Sequence, residues 1–305
     1  MYFFDAAVLI TCLAGLWFGA NLVVDTSVSS ARKIGVSELV IGLTIVSIGT
    51  SAPEFAVSIF AALKGHGNIS VGNVVGSNIF NLGFILGGVA LVHPISTSSS
   101  IVKRDGSVLV LTTFLLLLLL MDLFLSLWEG VLLISLLIAY ILYLLYSRQA
   151  TGEDISAGSF RWYTPLLLLF GLSVIILSSH FLVDSASSIA RALGLSEWVI
   201  GVTIVAMGTS TPELVTSLVA VLRGHHGLSA GNLVGSDIFN LLGVLGLAGT
   251  LQPMAVSSEA YGSIFLLCLM VIIVVIMMRT GWKITRAEGG ALVCLGMVRW
   301  ILDFT

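Results

Sequence analysis

Charge is scarce in this chain. Only 10% of its 305 residues are Asp, Glu, Lys or Arg, whereas 57% are hydrophobic and the mean hydropathy is +1.11. A chain of this composition would expose too much apolar surface to stay dissolved in water, and its uncharged stretches reach the roughly 20 residues that span a bilayer. The composition therefore predicts an all-α polytopic membrane protein.

Cysteine and basic residues are also few. The three cysteines, Cys12, Cys268 and Cys294, lie in apolar segments at unrelated spacings, which is typical of packing residues and not of a disulfide or a metal site. The net charge of -3 provides no basic patch for nucleic acid. The N-terminal segment carries Asp5 and no basic region, which predicts a retained first helix and not a cleaved signal peptide.

Ten charge-poor stretches qualify as membrane spans. Five of them precede and five follow a polar loop at 147–162, which is too short to fold as a soluble domain. This loop is the predicted boundary between a first repeat, 1–146, and a second repeat, 163–305. The predicted spans are 4–24, 38–62, 70–92, 107–125, 128–146, 163–183, 197–221, 229–251, 260–278 and 285–303.

The two halves repeat each other at a constant distance along the chain, the repeat offset, which relates Gly42 to Gly201. Residues 42–87 align with residues 201–246 without a gap, and 26 of the 46 positions are identical. Two unrelated apolar helices would share far fewer residues. The chain is therefore an internal duplication, and these two ranges are the two copies of its central motif.

The positive charges predict the orientation. If the N-terminus lies outside, the inside loops hold ten Lys and Arg residues, and the outside holds only Lys64, Arg191 and Arg299. Both termini are therefore predicted to lie outside. Because five spans per half is an odd number, the second half must enter the membrane from the opposite side. The sequence thus predicts two inverted-topology five-helix repeats, the architecture of secondary transporters whose site forms near the midplane.

Both copies of the motif contain Gly-Thr-Ser-x-Pro-Glu inside a predicted span. Pro53 and Pro212 cannot donate a backbone hydrogen bond, so spans two and seven are predicted to break near 47–51 and 206–210. Irregular backbone at this depth survives only when it is buried in protein or lines a cavity. An acid and two hydroxyls inside a span are costly, and they indicate a functional site.

The polar residues of each copy predict a cage of oxygen ligands for a hard cation. Helical spacing lets a threonine, a serine and a glutamate share one face, and a serine and an asparagine on the next span share another. The two glutamates carry a formal charge of -2, which suits one calcium ion or a small group of sodium ions, and the lack of clustered Cys and His argues against zinc or copper. These residues are Thr50, Ser51, Glu54, Ser77 and Asn81, with Thr209, Ser210, Glu213, Ser236 and Asn240.

Small residues on the partner spans predict close helix packing. Gly72 and Gly76, and again Gly231 and Gly235, lie one helical turn apart on the spans that follow the breaks. Glycine at such positions lets two helix backbones approach closely.

These motifs resemble those of the calcium/cation antiporter superfamily. GTSAPE with GNVVGSNIFN, and GTSTPE with GNLVGSDIFN, look like its two alpha repeats, nearest to the prokaryotic sodium/calcium exchangers, and the resemblance covers all ten spans. It implies a ten-helix inverted-repeat fold with four central ion sites, placed in the cell membrane, that exchanges sodium for calcium by alternating access. It also implies that the cage residues other than Asn240 are ligands, and that the backbone carbonyls of Ser47 and Ala206 complete the sodium sites.

One position departs from the family pattern. Some relatives carry an aspartate where this chain has Asn240, and here an aspartate stands three residues earlier, at Asp237. Two interpretations stay open: a displaced acidic ligand that faces the cavity, or a structural carboxylate paired with backbone or hydroxyl donors. The exchange of residues leaves the ion stoichiometry, and coupling to potassium or protons, open.

Other functions compete with sodium/calcium exchange. A proton in place of sodium, another divalent cation in place of calcium, or a passive channel would use similar oxygens. An intramembrane protease would need paired aspartates or an H-E-x-x-H helix, and the sequence contains neither. The sequence therefore predicts a transporter and not an enzyme. Its partners are calcium and sodium ions and the lipid bilayer, with no resident cofactor, no nucleic acid and no obligatory protein partner.

Charged residues outside the motif repeat as well. The repeat offset relates Asp25 to Asp184 and Glu38 to Glu197. All four are predicted to lie at helix ends, where capping or loop contacts account for them.

Overall fold

The computed structural model describes residues 2–147, 161–192 and 206–303. These residues are almost entirely helical, and their helices are numbered here in chain order. They are α1 (Tyr2–Ile34), α2 (Glu38–Thr50), α3 (Ala52–Leu63), α4 (Gly67–Val92), α5 (Ile101–Asp122), α6 (Leu127–Tyr146), α7 (Thr164–Ala192), α8 (Ala206–Thr209), α9 (Thr211–Leu222), α10 (His226–Leu251), α11 (Ser258–Arg279) and α12 (Arg286–Asp303).

The helices are those of a membrane protein. Within the described residues, α1, α4, α5, α6, α7, α10 and α11 are long and apolar enough to cross a bilayer, and α2 with α3 forms an eighth candidate span that is bent by 52°. The seventh predicted span begins outside the described residues. The tenth corresponds to α12, which carries several charges, including Arg286, Glu288 and Arg299, and is absent from this set of candidate spans in the described part of the chain.

Several helices extend beyond the predicted spans. α1 continues to Ile34, α7 continues to Ala192, and α5 begins at Ile101. The charges just before the span edge predicted at residue 107 are paired inside the helix. Arg104 and Asp105 form a two-point ion pair with N···O distances of 2.7 and 3.0 Å, and the hydroxyl of Tyr140 on α6 donates to Asp105 at 2.8 Å. A charge paired in this way can be buried where a single charge cannot.

Two short β-ribbons connect the loops. Ile95–Ser96 (β1) pairs antiparallel with Lys283–Ile284 (β4), and Phe124–Leu125 (β2) pairs antiparallel with Met254–Ala255 (β3). The repeat offset converts β1 into β3 and β2 into β4. The two ribbons are therefore equivalent under the internal duplication.

The two ribbons lie at opposite ends of the molecule. α4 begins at Gly67, where an added Cβ would lie 2.5 Å from the carbonyl oxygen of Ala255 in β3. From there α4 runs for 26 residues, about 39 Å of helix rise, to the loop that contains β1. One end of the molecule, the β2/β3 end, therefore carries one ribbon, and the other, the β1/β4 end, carries its equivalent.

Glycines allow equivalent helix crossings in the two halves. A Cβ on Gly289 of α12 would lie 2.7 Å from the carbonyl oxygen of Gly87 of α4. A Cβ on Gly130 of α6 would lie 2.7 Å from the carbonyl oxygen of Gly246 of α10. The repeat offset relates the two crossings, so α4 and α10 occupy matching places in the packing.

α1 and α7 form a helix pair beside the remaining helices. They pack against each other along their lengths, with Gly19 of α1 beside Gly171 of α7. The buried apolar side chains of the described residues divide into a large cluster that spans both halves and a smaller cluster centred on α1 and α7. α7 also lies against α2, since a Cβ on Gly49 would meet Leu172 at 2.5 Å.

Candidate functional site

Each glutamate of the motif lies in the first turn of a helix that follows a break. Ser51 separates α2 from α3, and Ser210 separates α8 from α9. Pro53 and Pro212 occupy the first turns, where a missing backbone N–H costs little because that group has no intrahelical acceptor. Both breaks lie where the prolines predict them.

The two carboxylates are bonded to hydroxyls of the opposite half. Ser51 Oγ donates to Glu213 Oε1 at 3.0 Å, and Ser210 Oγ donates to Glu54 Oε1 at 2.9 Å. All four side chains are at most 1% exposed. The second oxygen of each carboxylate, Oε2, is buried and has no hydrogen-bond partner in the described part of the chain. Because such an oxygen is costly, the site favours a ligand that supplies positive charge.

The threonines of the motif add further hydroxyls. The hydroxyl of Thr50 lies close to the Glu213 carboxylate, and that of Thr209 lies close to the Glu54 carboxylate. Thr50 Oγ1 also lies 3.4 Å from Ser236 Oγ, which in turn lies 3.4 Å from Glu213 Oε1. Two carboxylates and five hydroxyls, from Thr50, Ser51, Thr209, Ser210 and Ser236, therefore gather around one point between the halves.

Three further predicted ligands are Ser47, Ser77 and Ala206. Ser47 is fully buried on α2, and its carbonyl oxygen accepts a hydrogen bond from Thr50 Oγ1 at 3.3 Å. Ser77 is 5% exposed and borders a cavity of about 270 Å³ between α4, α11 and α12. Ala206 is the first residue of α8, and its side chain lies outside the described residues.

Two asparagines that the sequence analysis did not select hold the glutamate helices in place. Asn73 Nδ2 donates to Ser58 Oγ at 2.9 Å and to the backbone oxygen of the glutamate in its own half at 3.3 Å. Asn232 Nδ2 makes the equivalent bonds in the second half, to Ser217 Oγ at 2.9 Å and to the glutamate backbone at 3.4 Å. The sequence feature that could have identified them is that both copies of the motif contain an asparagine directly after the first glycine of GN-x-VGS.

A second polar cluster connects α4 and α10. Asn81 Nδ2 donates to Asp237 Oδ1 at 2.9 Å, Asn78 Nδ2 donates to the backbone oxygen of Asp237 at 3.1 Å, and Asn240 Nδ2 donates to Asn78 Oδ1 at 3.0 Å. All four side chains are at most 1% exposed. The Asp237 carboxylate is thus bonded to a side-chain amide, a donor that neither interpretation of this residue named. Its Oδ2 has no partner within the described residues.

Wider helical turns begin at two of these asparagines. Asn81–Ile85 in α4 and Asn240–Val244 in α10 are π-helical, and so is Gly42–Val46, which precedes Ser47 in α2. Such turns interrupt the regular helical hydrogen bonding and occur frequently at functional sites. The repeat offset relates the π-helical turns that begin at Asn81 and Asn240. The same irregular backbone therefore occurs at this place in both halves.

The predicted close approach through glycine is present on one of the two partner helices. A Cβ on Gly231 would lie 2.6 Å from the carbonyl oxygen of Leu39 in α2, and one on Gly235 would lie 2.6 Å from a backbone carbon of Leu43. Around the equivalent Gly72 and Gly76 of α4, no atom of the described residues lies within 4 Å of such a Cβ. The residues that correspond to Leu39 and Leu43 in the second half, 198 and 202, lie outside the described residues.

The donor set suits an ion that binds oxygen. No group of three or more His, Cys, Asp or Glu side chains within the described residues could hold a metal ion. The cage consists of two carboxylates surrounded by hydroxyls, which are ligands that hard cations accept and that soft or borderline transition metals do not prefer.

Comparison with known proteins identifies the family. The family profile described as "Sodium/calcium exchanger protein" matches residues 4–146 and 163–296. The chain belongs to this exchanger family. Its members are transporters, and at the level that the family defines, this protein is a calcium/cation antiporter in a membrane.

Similar proteins of this exchanger family match over nearly the whole chain. The "Putative antiporter CaxA" of Alkalimonas amylolytica is 36% identical over 92% of both chains. The "Sodium/calcium exchanger MaX1" of Methanosarcina acetivorans is 32% identical over 91% of this chain and 93% of that protein. A solved structure of the sodium-calcium exchanger NCX_Mj, soaked with zero Na+ and Ca2+, has a TM-score of 0.88 at 30% identity and covers 100% of both chains. In another, soaked with 2.5 mM Na+ and 0.1 mM Ca2+, the TM-score is 0.85 at 31% identity over 98% of both chains.

Proposed function

We propose that this protein exchanges sodium for calcium across a membrane, by alternating access at the cage around Glu54 and Glu213. One observation carries the proposal: each of these buried carboxylates has one oxygen bonded to the serine of the opposite half and one oxygen without a partner among the described residues. Two such groups carry a formal charge of -2. One calcium ion, or a small group of sodium ions, would supply the missing positive charge.

The proposed ligands are the side-chain oxygens of the cage and of the neighbouring cluster, together with two backbone carbonyls. The glutamates and the threonine and serine hydroxyls nearest them would hold calcium, and the same oxygens would hold sodium when calcium is absent. The full proposed set is Thr50, Ser51, Glu54, Ser77, Asn81, Thr209, Ser210, Glu213, Ser236, Asp237 and Asn240, with the carbonyls of Ser47 and Ala206.

Competition for these oxygens provides the coupling. A bound ion of either kind neutralises the carboxylates, and the neutral site lets α1 and α7 slide past the other helices. An empty site keeps two uncompensated buried charges, which oppose the movement because each would have to cross an apolar environment without a partner. The packing of α1 against α7 along their lengths, with Gly19 beside Gly171, supports their movement as one body.

The chain would cross the membrane ten times as two inverted halves, 1–146 and 163–305, with both termini outside and the protein in the cell membrane. Two findings support the inverted arrangement. The equivalent ribbons lie at opposite ends of α4, and the equivalent glycine crossings of α4 and α10 recur in the two halves.

The proposal is tested by uptake of radioactive calcium into sodium-loaded proteoliposomes, without external sodium and without proton or potassium gradients. We expect uptake that needs internal sodium and that external sodium competes away. Uptake without internal sodium would contradict the proposal. An imposed proton gradient would then separate proton/calcium exchange, which such a gradient drives, from a passive channel.

The same assay tests the two carboxylates. Glu54→Gln and Glu213→Gln keep the size of the side chain and remove one charge each, and we expect either change to lower calcium exchange at least tenfold, since an interaction with a charged group is worth roughly 1.5–3 kcal/mol. Asp122→Asn, which removes an exposed carboxylate at the end of α5, is the matched control. Exchange that survives in both glutamate variants would exclude this site.

A further inference from the structure

Two charged pairs outside the cage are related by the repeat offset. It converts Asp25 of α1 into Asp184 of α7, and it relates Arg223, which directly follows α9, to Lys64, which directly follows α3. In both halves, therefore, an acid on one helix of the α1–α7 pair could meet a base at the end of the helix that carries a cage glutamate.

Only one of these pairs is formed. Arg223 Nη1 lies 2.6 Å from Asp25 Oδ1, and the same nitrogen donates to a backbone carbonyl of α1 at 3.4 Å. Lys64 and Asp184 are both exposed and form no ion pair with each other in the described part of the chain. Asp184 instead lies 3.4 Å from the ring of His180 on its own helix.

Asp25 and Asp184 were predicted to lie at helix ends, and this prediction was wrong. Both lie inside longer helices, Tyr2–Ile34 and Thr164–Ala192, where neither can cap a terminus. The helix dipole explains a cation at positions 64 and 223, since both directly follow a helix. It does not explain an acid on the neighbouring helix in both halves.

The formed and the unformed pair lie at opposite ends of the molecule. Lys64 precedes the start of α4, which contacts β3, so it lies at the β2/β3 end. Arg223 precedes the start of α10, and α10 needs 26 residues to reach β3, so Arg223 lies at the β1/β4 end.

The packing of the α1–α7 pair against the other helices also differs between the two ends. α1 packs along α9, whereas the described residues of α7 make no extensive contact with α3. The cavity that borders Ser77 lies against the first half of α4, toward the β2/β3 end. At the β1/β4 end, where the ion pair is formed, the α1–α7 pair therefore packs against the other helices. At the β2/β3 end, where the charges are separated, a cavity lies beside the proposed ligand Ser77.

We propose that the Asp25–Arg223 and Asp184–Lys64 pairs are two ionic latches of the transport cycle, each formed when the α1–α7 pair closes its own end and separated when the other end closes. This rests on the proposed alternating access. The side chains of Asp25 and Arg223 are 60% and 38% exposed, so the latch biases the equilibrium between the two states and does not lock it. A pair of this exposure shifts such an equilibrium by about fivefold at most.

Cross-linking tests whether the two ends are coupled. The full chain, with Cys12, Cys268 and Cys294 replaced by alanine, receives Lys64→Cys and Asp184→Cys, and the rate at which a short bifunctional thiol reagent joins these cysteines is measured in detergent. Adding Asp25→Asn removes the latch at the opposite end. We expect the cross-linking rate to rise about threefold to fivefold, because the molecule then closes the β2/β3 end more often.

Two further variants separate a latch from a general charge effect. Lys33→Gln removes an exposed charge from the same part of α1, and we expect it to leave the rate unchanged. The exchange Asp25→Arg with Arg223→Asp rebuilds the pair with its charges reversed, and we expect it to restore the slow rate.

The proposal is overturned if positions 64 and 184 do not cross-link in any of these variants, if Asp25→Asn leaves the rate unchanged, or if Lys33→Gln raises it equally. The measurement is made with sodium present, because a bound ion is what lets the α1–α7 pair move, but it does not depend on calcium transport. A failure of calcium uptake in liposomes with these rate changes present would therefore count against the proposed exchange and not against the latches.

Discussion

Asp237 is the residue at which the two halves of the site differ in chemistry. Its equivalent in the first half is Asn78, whose Nδ2 donates to the backbone oxygen of Asp237. A carboxylate has no N–H group, so Asp237 cannot donate the equivalent bond to the backbone oxygen of Asn78. Its side chain instead accepts from Asn81 and keeps one buried oxygen without a partner in the described residues.

Asp237→Asn would restore the symmetry of this cluster. An amide at position 237 could donate to the backbone oxygen of Asn78, and it removes a buried charge with an unpartnered oxygen. We expect the free energy of unfolding to rise by about 1–3 kcal/mol, measured by thermal unfolding in detergent. Asp122→Asn, an exposed control, should change it by less than about 0.5 kcal/mol. The same variant tests Asp237 as a proposed ligand: calcium exchange that stays unchanged would remove Asp237 from the proposed set, and a loss of exchange would keep it there.

The sequence was sufficient to place the charged part of the site. Glu54 and Glu213 stand out because an acid inside an apolar span is costly, and the repeat shows that it occurs twice. Asn73 and Asn232 carry no charge and were missed, although both copies of the motif contain them. Their role depends on Ser58 and Ser217 of a neighbouring helix, and only the packing of the helices brings these partners together.

Between elements, the contact of α2 with α10 depends on the absence of a side chain. Gly231→Ala would place a carbon 2.6 Å from the carbonyl oxygen of Leu39, and the contact is with backbone, which cannot rotate away. We expect this change to lower the free energy of unfolding by about 1–3 kcal/mol, measured by thermal unfolding in detergent.

Another glycine of α4 provides the control. Gly88→Ala meets no atom of the described residues within 4 Å, the repeat offset relates this position to Leu247, and the change replaces a poor helix former with a good one. We therefore expect the stability of this variant to stay unchanged or to increase by up to about 1 kcal/mol. Equal losses in both variants would mean that the close approach of α2 and α10 does not matter for stability.

Helix breaks were more predictable than helix ends. A proline breaks a helix by its own covalent structure, so Pro53 and Pro212 place the breaks without further information. The start of α5 depends instead on Arg104, which an isolated sequence presents as a loop charge. Its bonds to Asp105, together with the hydroxyl of Tyr140 from another helix, make the charge acceptable inside the helix.

For the molecule as a whole, the proposed orientation in the membrane rests on the excess of positive charge in one set of loops. Cysteines at Met121, which is exposed near β2, and at Lys283 in β4 would report on the two ends. With the native cysteines replaced, we expect an impermeant thiol reagent to label Met121→Cys on intact cells, and to label Lys283→Cys only after permeabilisation. Labelling of both positions from the same side would contradict the two-ended arrangement, and the reverse pattern would invert the orientation.

The internal repeat allowed the overall architecture to be expected from sequence, because the duplicated motif at 42–87 and 201–246 and the count of spans are both readable along the chain. The difference between the two ends of the structure could not be predicted from the sequence. Asp25 and Asp184 are equivalent in sequence, yet one is paired across helices and the other is not, since a single conformation treats the two ends differently.

The crosswise bonds from Ser51 to Glu213 and from Ser210 to Glu54 also bear on the origin of the chain. Neither half completes the hydrogen bonding of its own carboxylate, so a half-length ancestor could have built this cage only by meeting a second copy of itself, which in the proposed arrangement is inserted upside down. Fusion of the two copies into one gene would have removed the need to insert in both orientations. It would also have freed the copies to diverge, and Asp237 opposite Asn78 is a place where they have done so.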